Sequence, residues 1–171
     1  MDKYIELVKQ TIESYIKNNT IISVPKNLPD NFYFKKAGVF VTIKNKNKLR
    51  GCIGTYIPTK KNIAKEIISN AVSACSRDTR FYPITKNELP DLNYEISILN
   101  PPQLIKNIKN HDVKKHGIII KCVDGKCGLL LPDLDGIDLT SQQIAIACEK
   151  GGINPKIDKT ILYYFTIEKH G

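Results

Sequence analysis

All three arginines of this chain lie between Arg50 and Arg80, and the remainder of its 26 Lys and Arg residues are lysines. A guanidinium presents five N–H donors in a planar fork, a geometry that lysine cannot reproduce. The fork suits carboxylates, phosphates and backbone carbonyl oxygens. The clustering therefore directs the search for a functional site to this segment.

Cys52 is the residue of the segment that could act as a nucleophile. It lies between Gly51 and Gly54, two residues after Arg50, and a neighbouring cation favours the thiolate form that attacks substrates. Glu95 and His116 are candidates for the base and for the group that orients it. The structural alternatives are a small buried cysteine in a glycine-rich strand and a lone histidine that only makes hydrogen bonds.

The predicted strand sets which side chains share a face. Successive residues of a strand alternate, so Arg50 and Cys52 are expected on one face and Leu49 and Ile53 on the other. If Leu49 and Ile53 face the core, Cys52 points away from it. Under the structural alternative, Arg50 pairs with Glu95 or with Asp78.

A second reading of the same segment is ligand binding. The candidates are the polar and glycine residues of two sequence blocks, namely Arg50, Gly51, Gly54, Asp78 and Arg80. Glycines inside a strand mark a bulge or a close backbone approach. Arg80 could bind an anion or a carboxylate, or it could join Asp78 in tying its loop to neighbouring backbone.

Composition indicates an ordinary globular chain. With 171 residues, 42% hydrophobic and 25% charged, one domain spanning residues 1–171 is expected. No apolar run is long enough to span a membrane, and the first residues do not resemble a signal peptide. We therefore expect a cytoplasmic protein with no membrane partner.

Cysteines and histidines give no sign of a metal or cofactor. The five cysteines form an odd set without a CxxC pair, which argues against a disulfide scaffold and a zinc ribbon. An Asp-Gly turn is expected to make Cys122 and Cys127 cross-strand neighbours. Reduced thiols are expected, with no metal site and no cofactor.

The net charge of +9 raises the question of nucleic acid. The lysines are dispersed along the chain, and no RNA-recognition signature is present. Specific nucleic-acid binding is therefore not expected, and a nucleic-acid accessory factor is the least favoured class of function.

Patterns of apolar residues predict an α+β fold with a mainly antiparallel sheet and flanking helices. The expected helices cover residues 3–18, 59–76 and 141–150. The expected strands cover residues 38–43, 49–53, 94–99, 117–123, 126–131 and 161–167. Residues 104–108 suggest a short helix or turn.

Several sequence blocks resemble, in order, the AMMECR1 domain family. Residues 49–54 (LRGCIG) look like its signature, and residues 78–84 (DTRFYPI) are similar to its DPRFPPL block. Residues 95–99 (EISIL), 116–118 (HGI), 128–132 (GLLLP) and 150–153 (KGGI) resemble its later blocks. The likeness runs from about Gly38 to the C-terminus, although the family's usual C-terminal tryptophan is missing and residues 133–140 depart from its pattern.

The resemblance implies a fold of two unequal lobes with a cleft. The larger lobe holds both termini, the smaller lobe is inserted, and the LRGCIG motif lies near the cleft. No reaction is established for the family. Its prokaryotic members are linked to Memo-type and radical-SAM-like proteins in the AmmeMemoRadiSam system, which makes such proteins the implied partners.

Two functions are therefore open at this point. The first is a cleft that binds a small anionic ligand or a partner protein through the motif at residues 49–54. The second is a transferase or hydrolase that uses Cys52 as its nucleophile.

Overall fold

The computed structural model describes residues 2–171, which form two compact units. The first unit comprises residues 2–99 together with Glu168–Gly171, and the second comprises Asn100–Ile167. Both termini belong to the larger unit and the smaller unit is inserted into it, as the resemblance implies. The cleft stays a prediction.

The element order alternates hairpins with helices. Residues 2–171 contain the helices α1 (Lys3–Asn18), α2 (Asn31–Phe34), α3 (Ile63–Ser76) and α4 (Thr140–Gly151). The strands of the same residues are β1 (Val39–Asn45), β2 (Lys48–Thr55), β3 (Leu92–Leu99), β4 (Gln103–Leu104), β5 (Gly117–Cys122), β6 (Cys127–Leu130), β7 (Thr160–Phe165) and β8 (Ile167–His170). The strands form two four-stranded sheets, ordered β2-β1-β3-β8 and β4-β7-β5-β6. The predicted α+β class is confirmed.

In the first unit, α1 and α3 pack against each other, and α3 lies on β1 and β2. The predicted amphipathic stripes explain this packing, because their members Val8, Ile12 and Ile67 have no solvent exposure. Asp2 begins α1 by accepting hydrogen bonds from the backbone N–H groups of Tyr4 and Ile5.

The β1–β2 hairpin contains a bulge that changes which side chains share a face. Ile43 lies opposite Gly51 and Lys44 lies opposite Leu49, so Arg50 is the extra residue on β2. Cross-strand partners point to the same side, and Leu49 therefore lies with Lys44 on the face away from the core. The predicted simple alternation is wrong for Leu49, which is 43% exposed, because one inserted residue reverses the parity.

α3 begins later than predicted. Asn62, rather than Thr59, caps the helix by accepting a hydrogen bond from the Lys65 N–H. Thr59 instead donates its N–H and its hydroxyl to the buried carboxylate of Glu66. The segment before the helix is thus held by a residue inside the helix.

The second unit places α4 against the β5–β6 hairpin. Its core contains Ile118, Ile120, Leu130 and Ala147. The predicted stop of α4 is confirmed, since Gly152 has the left-handed conformation of a helix end, with φ of 62°.

Two sequence predictions for residues 117–167 are wrong, and a third is displaced. Cys127 lies opposite Lys121, so Cys122 and Cys127 point to opposite faces and are not cross-strand partners. The predicted strand at 161–167 is divided into β7 and β8, which belong to different sheets. The short helix or turn expected at residues 104–108 is found later, as a 3-10 turn at Ile108–Asn110, while residues 103–104 form the short strand β4.

Among residues 2–171, no helix has both the length and the apolar character needed to cross a lipid bilayer.

Candidate functional site

Asp78 connects the loop after α3 to the edge of the first sheet. Its carboxylate Oδ2 accepts a hydrogen bond of 2.8 Å from the backbone N–H of Cys52, and its side chain is only 5% exposed. β2 is an edge strand, whose outward backbone groups would otherwise need another partner. The predicted role of Asp78 as a residue that ties its loop to neighbouring backbone is therefore the geometry found.

Arg80 completes this arrangement at the carbonyl group of Cys52. Its Nε and Nη2 donate to the two oxygens of Asp78 at 2.9 and 2.7 Å. Nη2 also donates to the Cys52 carbonyl at 3.3 Å. Asp78 and Arg80 together thus replace a neighbouring strand at the Cys52 position of β2.

The Asp78–Arg80 pair is strongly coupled electrostatically. The hydrogen bond from Arg80 lowers the pKa of Asp78 to about 2, with further help from the N–H groups of Cys52 and Arg80, although burial opposes the shift. The pKa of Arg80 is raised, first by the hydrogen bond to Asp78 and then by the negative charge of Asp78. Both groups are charged across the physiological pH range.

The Cys52 side chain points away from the core, although the condition on which that was predicted fails for Leu49, which does not face the core. The backbone N–H and C=O of Cys52 point outward, away from β1. Cys52 and Thr42 opposite it therefore form a non-hydrogen-bonded pair, in which the side chains lie closer together than in a hydrogen-bonded pair. The thiol accordingly lies 3.3 Å from the Thr42 hydroxyl. Within the part of the chain that the structure describes, no carboxylate or imidazole hydrogen-bonds to this thiol.

Arg50 makes a separate set of contacts. It donates Nε and Nη2 to the Glu88 carboxylate at 2.7 and 3.1 Å, and Nη1 to the Tyr82 carbonyl at 2.8 Å. Its side chain is 19% exposed. The predicted pairing of Arg50 with Glu95 or Asp78 is wrong: the bulge turns Arg50 toward Glu88, and its nitrogens are used in holding the loop.

Glu95 shares the face of Cys52 without touching it. Thr42 lies opposite both residues, so the three form one row across β2, β1 and β3. Strand spacing puts Glu95 about 10 Å from Cys52. Its carboxylate pairs with Lys44 and, at 3.8 Å, with Lys169.

His116 belongs to the second unit and has its own surroundings there. Its Nδ1 accepts a hydrogen bond of 3.1 Å from the Asp112 N–H, and its ring lies 4.8 Å from that of Tyr164. Burial and the nearby His111 lower the pKa of His116. These contacts are those expected of a histidine that only makes structural hydrogen bonds, the alternative given above.

Gly51 and Gly54 allow neighbouring atoms to pack closely against β2. A Cβ at Gly51 would collide with the carbonyl oxygen of Ala74 on α3, and a Cβ at Gly54 would collide with the Phe40 ring. The predicted close backbone approach is therefore present at both glycines.

Sequence reasoning missed Glu88, Glu66 and Thr42. Glu88 could have been found from its spacing, because a Thr followed three residues later by Glu is a capping-box pattern, and Thr85 and Glu88 form that box. No group of three or more His, Cys, Asp and Glu side chains in residues 2–171 is arranged to hold a metal ion.

Comparison with known proteins places this geometry in a family. The AMMECR1 family model matches residues 5–170. A Thermotoga maritima protein is 40% identical over 169 residues, which is 98% of this chain and 96% of that protein. A Clostridium acetobutylicum protein is 37% identical over 99% of this chain, which spans only 36% of that longer protein.

A solved structure has the same fold. The crystal structure of an uncharacterized protein from Pyrococcus horikoshii superposes with a TM-score of 0.87 and 33% identity, covering 97% of this chain and 88% of that one. With a family model that spans nearly the whole sequence, these relatives show that the chain belongs to the AMMECR1 family.

Proposed function

We propose that the protein is a binding protein and that Arg80, beside Cys52, contacts a carboxylate or phosphate group of the ligand. One observation carries the proposal. The Arg80 guanidinium is held on one side by Asp78 and the Cys52 carbonyl, while its Nη1 has no partner in residues 2–171 and the side chain is 54% exposed.

The fixed guanidinium favours binding because its position is already determined. An arginine that is free in solvent loses rotamer entropy when it binds an anion, whereas Arg80 is already fixed by its bidentate pair with Asp78. Nη1 offers two N–H donors, and charge-assisted hydrogen bonds to an anion are stronger than neutral ones.

The adjoining sheet face supplies a mixed surface next to this cation. The Cys52 thiol, the Thr42 hydroxyl and the Phe40 ring lie on the side of β1 and β2 away from the core, and all three are half-buried. In this proposal Cys52 is a reduced contact residue. A ligand that places an anion at Arg80 could rest its remaining atoms on this face.

The anion has two possible sources with the same chemistry, a small molecule or an acidic side chain of a partner protein. The Memo-type and radical-SAM-like proteins implied by the family resemblance are candidates for the second source. Small anions tested alone distinguish the sources, because a partner's carboxylate needs the rest of its interface for affinity.

The test is isothermal titration with pyrophosphate and citrate at low ionic strength. We expect saturable binding that Arg80→Lys weakens at least tenfold, since lysine cannot keep both the Asp78 pair and a free donor pair. Arg77→Lys is the matched control, because Arg77 comes from the same segment and is exposed. Equal effects of the two substitutions would refute the role of Arg80.

If small anions do not bind, the second source, an acidic side chain of a partner protein, is tested with purified Memo-type and radical-SAM-like proteins from the same organism. Binding that is sensitive to Arg80→Lys and insensitive to Lys61→Gln, an exposed residue away from Arg80 in the sequence, would keep the proposal. If neither the small anions nor these proteins bind in this way, the proposal is wrong.

A thiol enzyme is the second candidate, favoured by one observation. The Arg80 guanidinium donates to the carbonyl of Cys52 itself at 3.3 Å, so a cation lies beside the residue that carries the thiol. The lack of a hydrogen-bonded base argues against it. Iodoacetamide labelling of Cys52 faster than that of a free thiol at pH 7 would favour the enzyme, and labelling at or below that rate would favour the binding protein.

A further inference from the structure

The first unit has a groove that none of the motif residues lines. Its volume is about 460 Å³, within the range of ligand sites. One wall is the face of α3 that carries Lys65, Ile68 and Val72, and Arg77 follows at the end of that helix. The other wall is the extended segment at residues 21–24.

Residues 21–24 resemble a strand without a neighbour. Ile22 and Val24 pack against the core, whereas Ile21 and Ser23 are exposed, with Ile21 at 56%. Within residues 2–171, none of these four residues makes a backbone hydrogen bond. An extended edge with free N–H and C=O groups is a template for pairing with another chain.

The groove is also positively charged at both ends. Lys65 and Arg77 are exposed, and neither side chain has a hydrogen bond or ion pair to any other described residue. Twelve residues of helix separate them, or about 18 Å at about 1.5 Å per residue. An extended peptide covers that span with about five or six residues.

We propose that this groove binds an extended segment of a partner protein, in which acidic residues flank a short apolar stretch. The segment adds a strand to residues 21–24, and main-chain hydrogen bonds supply the affinity. Its acidic ends pair with Lys65 and Arg77, and its apolar side chains pack against Ile21, the exposed apolar residue of the groove lining.

The free backbone edge decides between a peptide and an aliphatic carboxylate. A fatty acid would fill the apolar part of the groove and reach one cation. It would leave the second cation and the donors of residues 21–24 without partners. A peptide strand provides acceptors and donors to that edge and carboxylates to both ends.

The probe is a library of capped hexapeptides, Glu-X-X-X-X-Glu with X drawn from Val, Ile and Thr, measured by fluorescence anisotropy. We expect members that bind the full-length protein with a Kd of about 100 µM or tighter. The matched library has Lys at both ends and should not bind. N-methylation of alternate peptide bonds in the best binder should weaken it about tenfold or more, because it removes strand-pairing donors.

Variants of the protein locate the binding. The double substitution Lys65→Gln and Arg77→Gln should weaken the best peptide about fivefold. Lys61→Gln is the control, since Lys61 is exposed on the same unit and does not line the groove. Absence of any binding member, equal binding of the Lys-ended library, or binding of octanoate in place of peptides would overturn the proposal.

Discussion

At Asp78, one carboxylate meets both the free edge of β2 and the guanidinium of Arg80. It accepts from Cys52 and Arg80 while its side chain is almost fully buried. A buried carboxylate with charged and backbone donors on both oxygens is stabilised in its ionised form. The stability of this loop should therefore depend on pH.

The first prediction concerns Asp78→Asn. The folded pKa of Asp78, about 2, lies below its ordinary value of 3.8, so its contribution is complete above about pH 4 and is lost as pH falls through about 2. Allowing for the solvent-exposed Arg80, we expect the substitution to cost about 1–2 kcal/mol at pH 7. Urea unfolding from pH 7 to pH 2 should show the difference shrinking with acidity. A constant difference would contradict the assignment.

Arg50 gives the second prediction. Arg50→Lys should lower the free energy of unfolding by about 1–3 kcal/mol, because lysine cannot bind Glu88 bidentately and also reach the Tyr82 carbonyl. Chemical denaturation measures the effect. Arg77→Lys, which changes an exposed arginine, should be close to wild type, and equal losses in the two variants would contradict the structural role of Arg50.

The sequence located these residues but not their pairings. The arginine cluster and the two blocks led to Asp78, Arg80 and Cys52, which do lie together. The Arg50–Glu88 pair could not be foreseen because it depends on a one-residue bulge, and a bulge changes the direction of a side chain without altering the hydrophobic pattern around it.

At the scale of elements, Glu66 links the end of β2 to α3. Its carboxylate accepts hydrogen bonds from the Thr55 hydroxyl, from the N–H and hydroxyl of Thr59 and from the Lys60 N–H. One side chain therefore organises the whole connection between strand and helix.

Glu66→Gln gives the third prediction. One oxygen of the Glu66 carboxylate accepts hydrogen bonds from two backbone N–H groups. A glutamine would place either an amide nitrogen, which cannot accept, or a weaker neutral acceptor at that position, and the two N–H groups would be poorly paired. We expect a loss of about 2–4 kcal/mol of unfolding free energy, measured by thermal or urea unfolding. Glu149→Gln, on the exposed surface of α4, is the control. A loss for Glu66→Gln no larger than for the control would refute this role.

Helices and hairpins were predictable because their apolar periodicity is local. The sequence predicts that α3 begins at Thr59, because a threonine is a common helix cap. In the structure the Thr59 hydroxyl instead donates to Glu66, a residue inside the helix. Cys122 and Cys127 are not partners because three residues, 123–125, separate Cys122 from Lys126 opposite it, rather than the two residues of the expected Asp-Gly turn. Register depends on turn length, which an Asp-Gly pair alone does not determine.

At the scale of the molecule, each unit has its own hydrophobic core. The two chain crossings from one unit to the other run side by side, since Asn100 donates its N–H to the Thr166 carbonyl at 2.9 Å. A short linker could therefore replace the inserted unit without straining the first sheet.

The fourth prediction follows from this arrangement. Replacing residues 101–165 with a Gly-Ser-Gly linker should leave the larger unit folded, with a cooperative thermal transition by circular dichroism and a dispersed amide NMR spectrum. A spectrum of an unfolded chain would show that the larger unit needs the inserted one. It would also support the single domain expected from chain length.

Anion binding by Arg80 is tested most directly by NMR of the Arg80 guanidinium and the Cys52 amide during a pyrophosphate titration. We predict saturable shifts at both signals, because Asp78 couples the Cys52 N–H to the guanidinium that binds the anion. The Arg77 and Arg50 guanidinium signals should move far less. Shifts spread evenly over all three arginines, or no shift at Arg80 with pyrophosphate or with a bound partner protein, would show that Arg80 is not the anion-binding residue.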